Sequence, residues 1–295
     1  VPERAPLRLH DEDPTLFREA VSFTAAQTGF VPRLIEKDYF CTVVLEYLSA
    51  SAADLVFRGG TCLAKIHAEF YRLSEDLDFV VPTPLDASRS DRRRLVARSK
   101  RAVGAIGREV PGVHVVTALT GANDSTQYTA VLGYASPLTT REEMLKIEIG
   151  LREPLLTPSI PGEAKTLLLD PITNVQAVPV LPVTCLSRAE AMAEKLRAAM
   201  SRREAAVRDF YDVDYAVRQA GSRVDDPELL ALLEAKLAVP GNDPVDVSPA
   251  RIAILRSQVE TQLKPVLRDR DFAAFDLDRA FRIVANVAAA LGATR

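Results

Sequence analysis

The chain has 295 residues, 47% hydrophobic and 26% charged, with a formal net charge of −3. That length and balance suit a globular protein with a sizeable core and exclude a disordered or low-complexity chain. A basic nucleic-acid coat is also excluded, so polyanion binding would have to come from a local patch.

The charged N-terminus carries Pro2, Pro6 and Pro14 and has no apolar run resembling a signal peptide. Helical spacing of apolar positions follows over 12–28 and 32–50, with Leu34, Ile35, Tyr39, Val43 and Leu48 near one face. Asp54–Arg58 is a short apolar run stopped by Gly59-Gly60, which predicts a buried strand. Thr61 is a suitable N-cap for a helix over about 62–70. Leu77–Val81 predicts a second strand, closed by Pro82 and Pro84. Residues 86–109 predict one long basic helix, with Leu95, Val96, Val103 and Ile106 turned inward. Strands are expected over 113–119, 126–134 and 144–150, then an irregular proline-rich passage from Pro154 to Pro182 with short strands. From Ser187 the pattern is helical, over about 187–200, 204–220, 226–238, 248–263 and 271–291, with Ser187 and Ser248 as caps. The fold class expected is α+β, a mixed-sheet α/β core (1–182, with N-terminal helices) and a helical C-terminal domain (183–295), in a bilobed arrangement.

Three cysteines (Cys41, Cys62, Cys185) and three histidines (His10, His67, His114) are widely scattered, which predicts neither a disulfide framework nor zinc spacing. No stretch approaches the roughly 20 apolar residues that span a bilayer. The expectation is a cytoplasmic protein without membrane contact.

The chemistry is concentrated in Arg58-Gly59-Gly60-Thr61-Cys62-Leu63-Ala64-Lys65 and Ser74-Glu75-Asp76-Leu77-Asp78-Phe79. Side chains two apart on a strand share a face, roughly 6.5–7 Å apart, so Asp76 and Asp78 should project together. Two carboxylates beside a phosphate site make a hard oxygen cage for Mg²⁺ or Mn²⁺, whereas the bland reading is a pair of exposed surface acids. Gly59 and Gly60 let the backbone approach a triphosphate, or serve only as a tight strand-to-helix turn. Lys65, about one turn into the next helix, is either a phosphate-facing cation or a solvated lysine. Ser74 is either a phosphate contact, with Arg72 nearby, or a turn residue.

These segments resemble the GG[T/S]…DxD signature of the DNA polymerase beta-type nucleotidyltransferase superfamily. The fuller GGTxLxK…RxSEDxD pattern is similar to the AbiEii-like (MenT-like) toxins of bacterial toxin–antitoxin systems. Glu194-Lys195-Leu196 and Arg208-Asp209-Phe210-Tyr211-Asp212 resemble that family's EKL and R-D-[LF]-Y-D segments. The resemblance spans about Asp38 to Asp214. It implies transfer of a nucleoside monophosphate from an NTP substrate, most directly to the 3′ acceptor end of tRNA, and a cognate antitoxin. It assigns Gly59, Gly60, Thr61, Lys65 and Ser74 to the nucleotide, and Asp76, Asp78 and Glu148 to the metal. Glu148, on the polar face of an hxh strand, is the candidate third acid; its alternative is an ion pair with Lys146. Lys195 and Asp209 are implied to complete the charge network, the alternative being an ordinary amphipathic helix pair. Arg93, Arg94 and Arg98, within a run of eight basic residues over 88–108, are candidates for RNA contact rather than only a solvated face. Two other functions remain open: a transferase acting on a small molecule or protein side chain, and an inactive nucleotide- or RNA-binding relative.

Overall fold

The short apolar run before the glycine pair becomes the middle of a sheet. The computed structural model describes residues 8–293, so Pro2 and Pro6 lie outside the described residues. Seven strands form one mixed sheet: β1 (Val56–Arg58), β2 (Asp76–Val80), β3 (Val113–Ala122), β4 (Gln127–Ala135), β5 (Glu142–Gly150), β6 (Ile160–Ala164) and β7 (Leu181–Cys185). Their order is β3-β4-β5-β2-β1-β7-β6. β2 pairs antiparallel with β1 and parallel with β5, and β1 pairs parallel with β7. Leu77, Phe79, Ile147 and Ile149 alternate into the core, leaving the acids between them on the opposite face.

The chain divides into two compact units, Val1–Leu155 with Ser159–Leu186, and Leu156–Pro158 with Ser187–Arg295. Among the described residues the first unit holds the sheet and six α-helices: α1 (Leu9–Glu12), α2 (Pro14–Thr28), α3 (Pro32–Ser51), α4 (Gly59–Cys62), α5 (Arg89–Leu95) and α6 (Ala97–Glu109). Asp13 caps α2 by accepting from the Leu16 N–H, and Gly29, with φ 79°, closes it. Helix α3 differs from the one-faced helix expected, because it is buried along nearly its whole circumference, Glu36, Lys37 and Asp38 included. Phe40 stacks on Tyr134 of β4, with ring centroids 3.8 Å apart. Burial pushes the Glu36 carboxyl up, an effect opposed by the hydroxyl of Ser136, which donates to it at 2.9 Å.

The single basic helix expected over 86–109 is two helices. Ser88 and Asp91 form a capping box at the start of α5, and the chain bends at Val96 (φ −78°, ψ −7°). The bend lets Val96, Val103 and Ile106 enter the core, while Leu95, expected to face inward, remains exposed. Helix α5 buries none of its residues.

The second unit holds α7 (Arg188–Ser201), α8 (Val207–Arg218), α9 (Pro227–Leu237), α10 (Pro249–Gln258), α11 (Asp269–Ala273) and α12 (Leu277–Ala293). Ser187 and Ser248 cap α7 and α10 by accepting from the Glu190 and Arg251 N–H groups. The unit is held partly by a buried ionic cluster. Glu190 accepts from Lys236 at 2.7 Å and from the backbone N–H groups of Leu156 and Thr157 at 3.0 and 2.8 Å. Among the described residues no helix is long and apolar enough to cross a membrane.

Candidate active site

Strand pairing places the acids. Asp78 lies opposite Glu148 on β5 and Arg58 on β1, and Thr129 of β4 lies opposite Glu148, so Thr129, Glu148, Asp78 and Arg58 form one row across four strands. Asp76 lies opposite Lys146. Asp76, Asp78 and Glu148 are half-buried on the polar face of the sheet. Lys146 donates to Glu148 at 2.9 Å. Burial works against its charge, but that hydrogen bond and the charges of Glu148, Asp76 and Asp78 raise its pKa. Three carboxylates thus share a field that retains a cation, and their oxygen donors suit a hard divalent ion.

The glycine turn is shaped by the same residues. Gly59 has φ 77°, and a Cβ there would lie 2.8 Å from the Cβ of Asp78. At Gly60 a Cβ would lie 3.2 Å from Cζ of the buried Arg72. The space left by the missing Cβ atoms is therefore taken by Asp78 and Arg72, not simply left open beside the backbone. Thr61 is not the N-cap expected. The helix begins at Gly59, and Thr61 lies inside it, its buried hydroxyl donating to the carbonyl of Asp76. That bond ties the turn to the first residue of the acidic strand.

Lys65 occupies neither position the sequence suggested. It is fully buried, because its ammonium donates to Asp38 Oδ1 at 2.6 Å, Thr42 at 2.7 Å and the Lys165 carbonyl at 3.3 Å. The other Asp38 oxygen accepts from the Leu167 N–H at 2.9 Å and the Thr166 hydroxyl at 3.2 Å. A charged pair closed in this way is a structural joint between α3, the segment after α4 and the 165–167 passage. Lys65 is thus no phosphate-facing cation: its donors are directed to protein acceptors inside the core.

Ser74 is half-buried just before the acidic strand. Its neighbour Glu75 pairs with Lys37 at 3.1 Å and Arg33 at 3.0 Å. Burial pushes Glu75 up, but these two cations outweigh it and hold its carboxyl below the usual range. The Glu36-Lys37-Asp38 run, which sequence reasoning passed over as site support, therefore underpins the motif. The available signal was three consecutive charges inside an apolar helix.

In the second unit Lys195 is 2.9 Å from both Asp209 and Asp212, and Arg202 is 3.3 Å from the second oxygen of Asp209. Asp212 was not among the expected site residues, although its three-residue spacing from Asp209 placed both on one face.

The basic residues do not form one band. Arg93 and Arg94 are exposed on α5, and Arg94 pairs with Asp91. Arg92 donates to the carbonyl of Leu151, three residues beyond Glu148, so α5 lies at the end of β5. Arg98 donates to the carbonyl of Ser51, at the end of α3. Helix α6 inserts Val103 and Ile106 into the same core as Leu77 and Phe79, so it packs on the face of the sheet opposite the carboxylates.

The scattered cysteines and histidines also need correction. Ligand atoms of Cys62, His67 and Cys185 all lie within 4.8 Å of one another. Hydrogen bonding with Cys62 outweighs burial and, with the help of His67, brings the Cys185 thiol down to about 5. Burial instead pushes Cys41, outside this cluster, up to about 12.

The profile of the family described as nucleotidyl transferase AbiEii toxin, type IV TA system, matches residues 44–285. Among curated proteins, none matches the sequence. The fold is similar to that of MenT4, a nucleotidyltransferase toxin from Mycobacterium tuberculosis H37Rv, with a TM-score of 0.58 and 20% identity over 93% of this chain and 98% of MenT4. It is also similar to JHP933 from Helicobacter pylori, with a TM-score of 0.51 and 17% identity over 89% of this chain and 93% of that one. At these identities the structural likeness concerns the fold alone, whereas the profile spans most of the sequence. The chain belongs to the AbiEii nucleotidyl transferase toxin family of type IV toxin–antitoxin systems.

Proposed function

We propose that the chain transfers a nucleoside monophosphate from an NTP to the 3′ acceptor end of tRNA and thereby blocks translation and growth. The observation that carries this reading is the in-register row of Glu148, Asp78 and Arg58 beside the glycine turn, with Asp76 on the same face. Asp76, Asp78 and Glu148 would hold Mg²⁺ or Mn²⁺. When bound, such an ion supplies charge neutralisation on the triphosphate and lowers the pKa of the attacking hydroxyl. Glu148 would accept the proton of that hydroxyl. Ser74 and the backbone of Gly59, the half-buried groups flanking the acids, contact triphosphate oxygens. Thr61 and Gly60 act by holding the acidic strand and Arg72 in place. Within the second unit, Asp209 and Asp212 set the position of Lys195. Arg93 and Arg94, at the end of β5, receive the RNA backbone. Membership of a type IV toxin–antitoxin family implies an antitoxin partner. The reaction uses no membrane surface and belongs in the cytoplasm, where tRNA and NTPs meet.

The test incubates the protein with each labelled NTP, Mg²⁺ and total tRNA. Label should enter tRNA with wild type and not with Asp76→Ala; equal inertness of both with every nucleotide overturns the reading. A second reading, transfer to a small molecule or protein side chain, is favoured by the placement of α6, whose packing face lies across the sheet from the carboxylates. Reversing the charges of Arg93 and Arg94 separates the two, because it impairs only an enzyme that grips RNA.

A further inference from the structure

The strongest cluster outside the carboxylate face is Cys62, His67 and Cys185, three ligand atoms within 4.8 Å of one another. We propose that these residues form a binding site for one thiophilic divalent ion, of which Zn²⁺ is the type. The proposal is independent of the transfer reaction.

Three features of the fold build the site. The first is the wide turn Leu63–His67, which closes π-helically directly after Cys62. In a regular α-helix five residues turn about 500°, leaving positions 62 and 67 roughly 140° apart around the axis. A turn bonded i to i+5 stacks them instead, so the π-turn brings His67 back under Cys62. The second is the parallel pairing of β1 with β7, which sets Cys185 opposite Phe57. That register carries Cys185, 123 positions after Cys62, to the strand that feeds the glycine turn. The third is the seating of the ligands. His67 Nε2 lies 3.1 Å from the carbonyl of Leu186, the partner that orients a metal-binding imidazole and leaves Nδ1 with its lone pair. Behind the Cys185 sulfur stands Gly162, where a Cβ would lie 2.8 Å from it.

Two sulfurs and an imidazole nitrogen are donors for zinc and not for Mg²⁺. Zn–S of about 2.3 Å and Zn–N of about 2.0–2.1 Å in tetrahedral geometry place ligand atoms roughly 3.5 Å apart. Small rotamer adjustments would bring the cluster to that spacing, with loss of the thiol protons. The carboxylates Asp76, Asp78 and Glu148 would keep the hard ion, so the chain sorts two metals by donor chemistry. The soft site would tie α4 and its π-turn to β7, bracing the glycine turn from behind.

The experiment uses the full reduced chain, stripped with a chelator and titrated with Co²⁺. Thiolate-to-cobalt charge-transfer absorption and the intense visible bands of tetrahedral cobalt should saturate at one ion per chain and vanish on adding Zn²⁺. Cys62→Ser and Cys185→Ser should each abolish the charge-transfer signal. His67→Gln should weaken binding at least about 100-fold, the upper end of what losing a partner behind a ligand costs. Cys41→Ser and Asp76→Ala should leave the signal intact, which separates this site from the carboxylates. Because a serine variant could fail to fold, wild type is also labelled with a thiol reagent. Zn²⁺ should protect Cys62 and Cys185, mapped by mass spectrometry, and excess Mg²⁺ should not. Absence of charge-transfer absorption in wild type, an unchanged signal in the Cys62→Ser/Cys185→Ser double variant, or labelling indifferent to Zn²⁺ overturns the proposal. So does a Cys62–Cys185 disulfide forming in the Zn²⁺-treated chain.

Discussion

Two clusters of charge draw on one stretch of motif, and they are built in opposite ways. On the polar face of the sheet, Asp76, Asp78 and Glu148 are half-buried, and the cation beside them, Lys146, keeps 45% of its side chain exposed. Behind the turn, Asp38 and Lys65 are 3% and 0% exposed, and each is saturated by protein partners. The first cluster is reached by solvent; the second is closed in by the protein around it. The same residue types are left open to solvent in one place and serve architecture in the other, and exposure and remaining coordination decide which.

The largest expected effect tests the open cluster. Asp76→Ala or Asp78→Ala should reduce nucleotide transfer by at least about 10³-fold, several kcal/mol of lost charge stabilisation. The melting temperature should stay within about 2–4 °C, the shift of roughly 1 kcal/mol. A large fall in melting temperature would show these acids to be structural.

The closed cluster should respond in the opposite sense. Lys65→Met strands the Asp38 carboxylate and should destabilise the fold by about 3–5 kcal/mol in urea unfolding. Adding Asp38→Leu should recover much of that loss, since both charges are then gone. Wild-type stability in Lys65→Met would refute the role assigned to this pair.

Gly59→Ala probes the seam between the clusters. Alanine at φ 77° costs about 1–3 kcal/mol, and its Cβ would displace Asp78. Gly29 is a matched control, with φ 79° and nothing within 4 Å of a built Cβ. Gly29→Ala should show a similar loss of stability with transfer retained, whereas Gly59→Ala should lose both. Equal activity in the two variants would remove the Asp78 contact from the account.

The smallest effect lies in the second unit. Burial opposes the Glu190 charge, but Lys236 and two backbone N–H groups outweigh it and hold its pKa below the usual carboxylate value. A depressed folded pKa means that its contribution is present above the unfolded pKa and fades as pH falls through the folded one. Wild type should therefore lose stability on acidification with a slope of up to about 1.4 kcal/mol per pH unit from this group. Glu190→Gln should be less stable near neutrality and flatter in acid; parallel melting curves of the two proteins would contradict this.

Much of the architecture was legible locally. Alternation in Leu77-Asp78-Phe79 and Ile147-Glu148-Ile149 predicted which residues face the core, because strand period is a property of neighbouring residues. Serine caps at 187 and 248 placed the starts of two C-terminal helices for the same reason, whereas the single helix expected over 271–291 is two, Asp269–Ala273 and Leu277–Ala293. The bend at Val96 was not legible, since Leu95 and Val96 are equally apolar and only the shape of the core admits one of them. Nor was the burial of Lys65, which depends on an aspartate 27 residues earlier and a carbonyl 100 residues later.

By itself, then, the sequence determined the strand–turn–strand motif, the shared face of its two acids and the family. Tertiary structure alone decided that Glu148 stands opposite Asp78, that Lys65 is a core joint, and that Cys62 and His67 meet Cys185. Each of these depends on non-local strand pairing or on a turn of altered pitch, and spacing along the chain carries no measure of either.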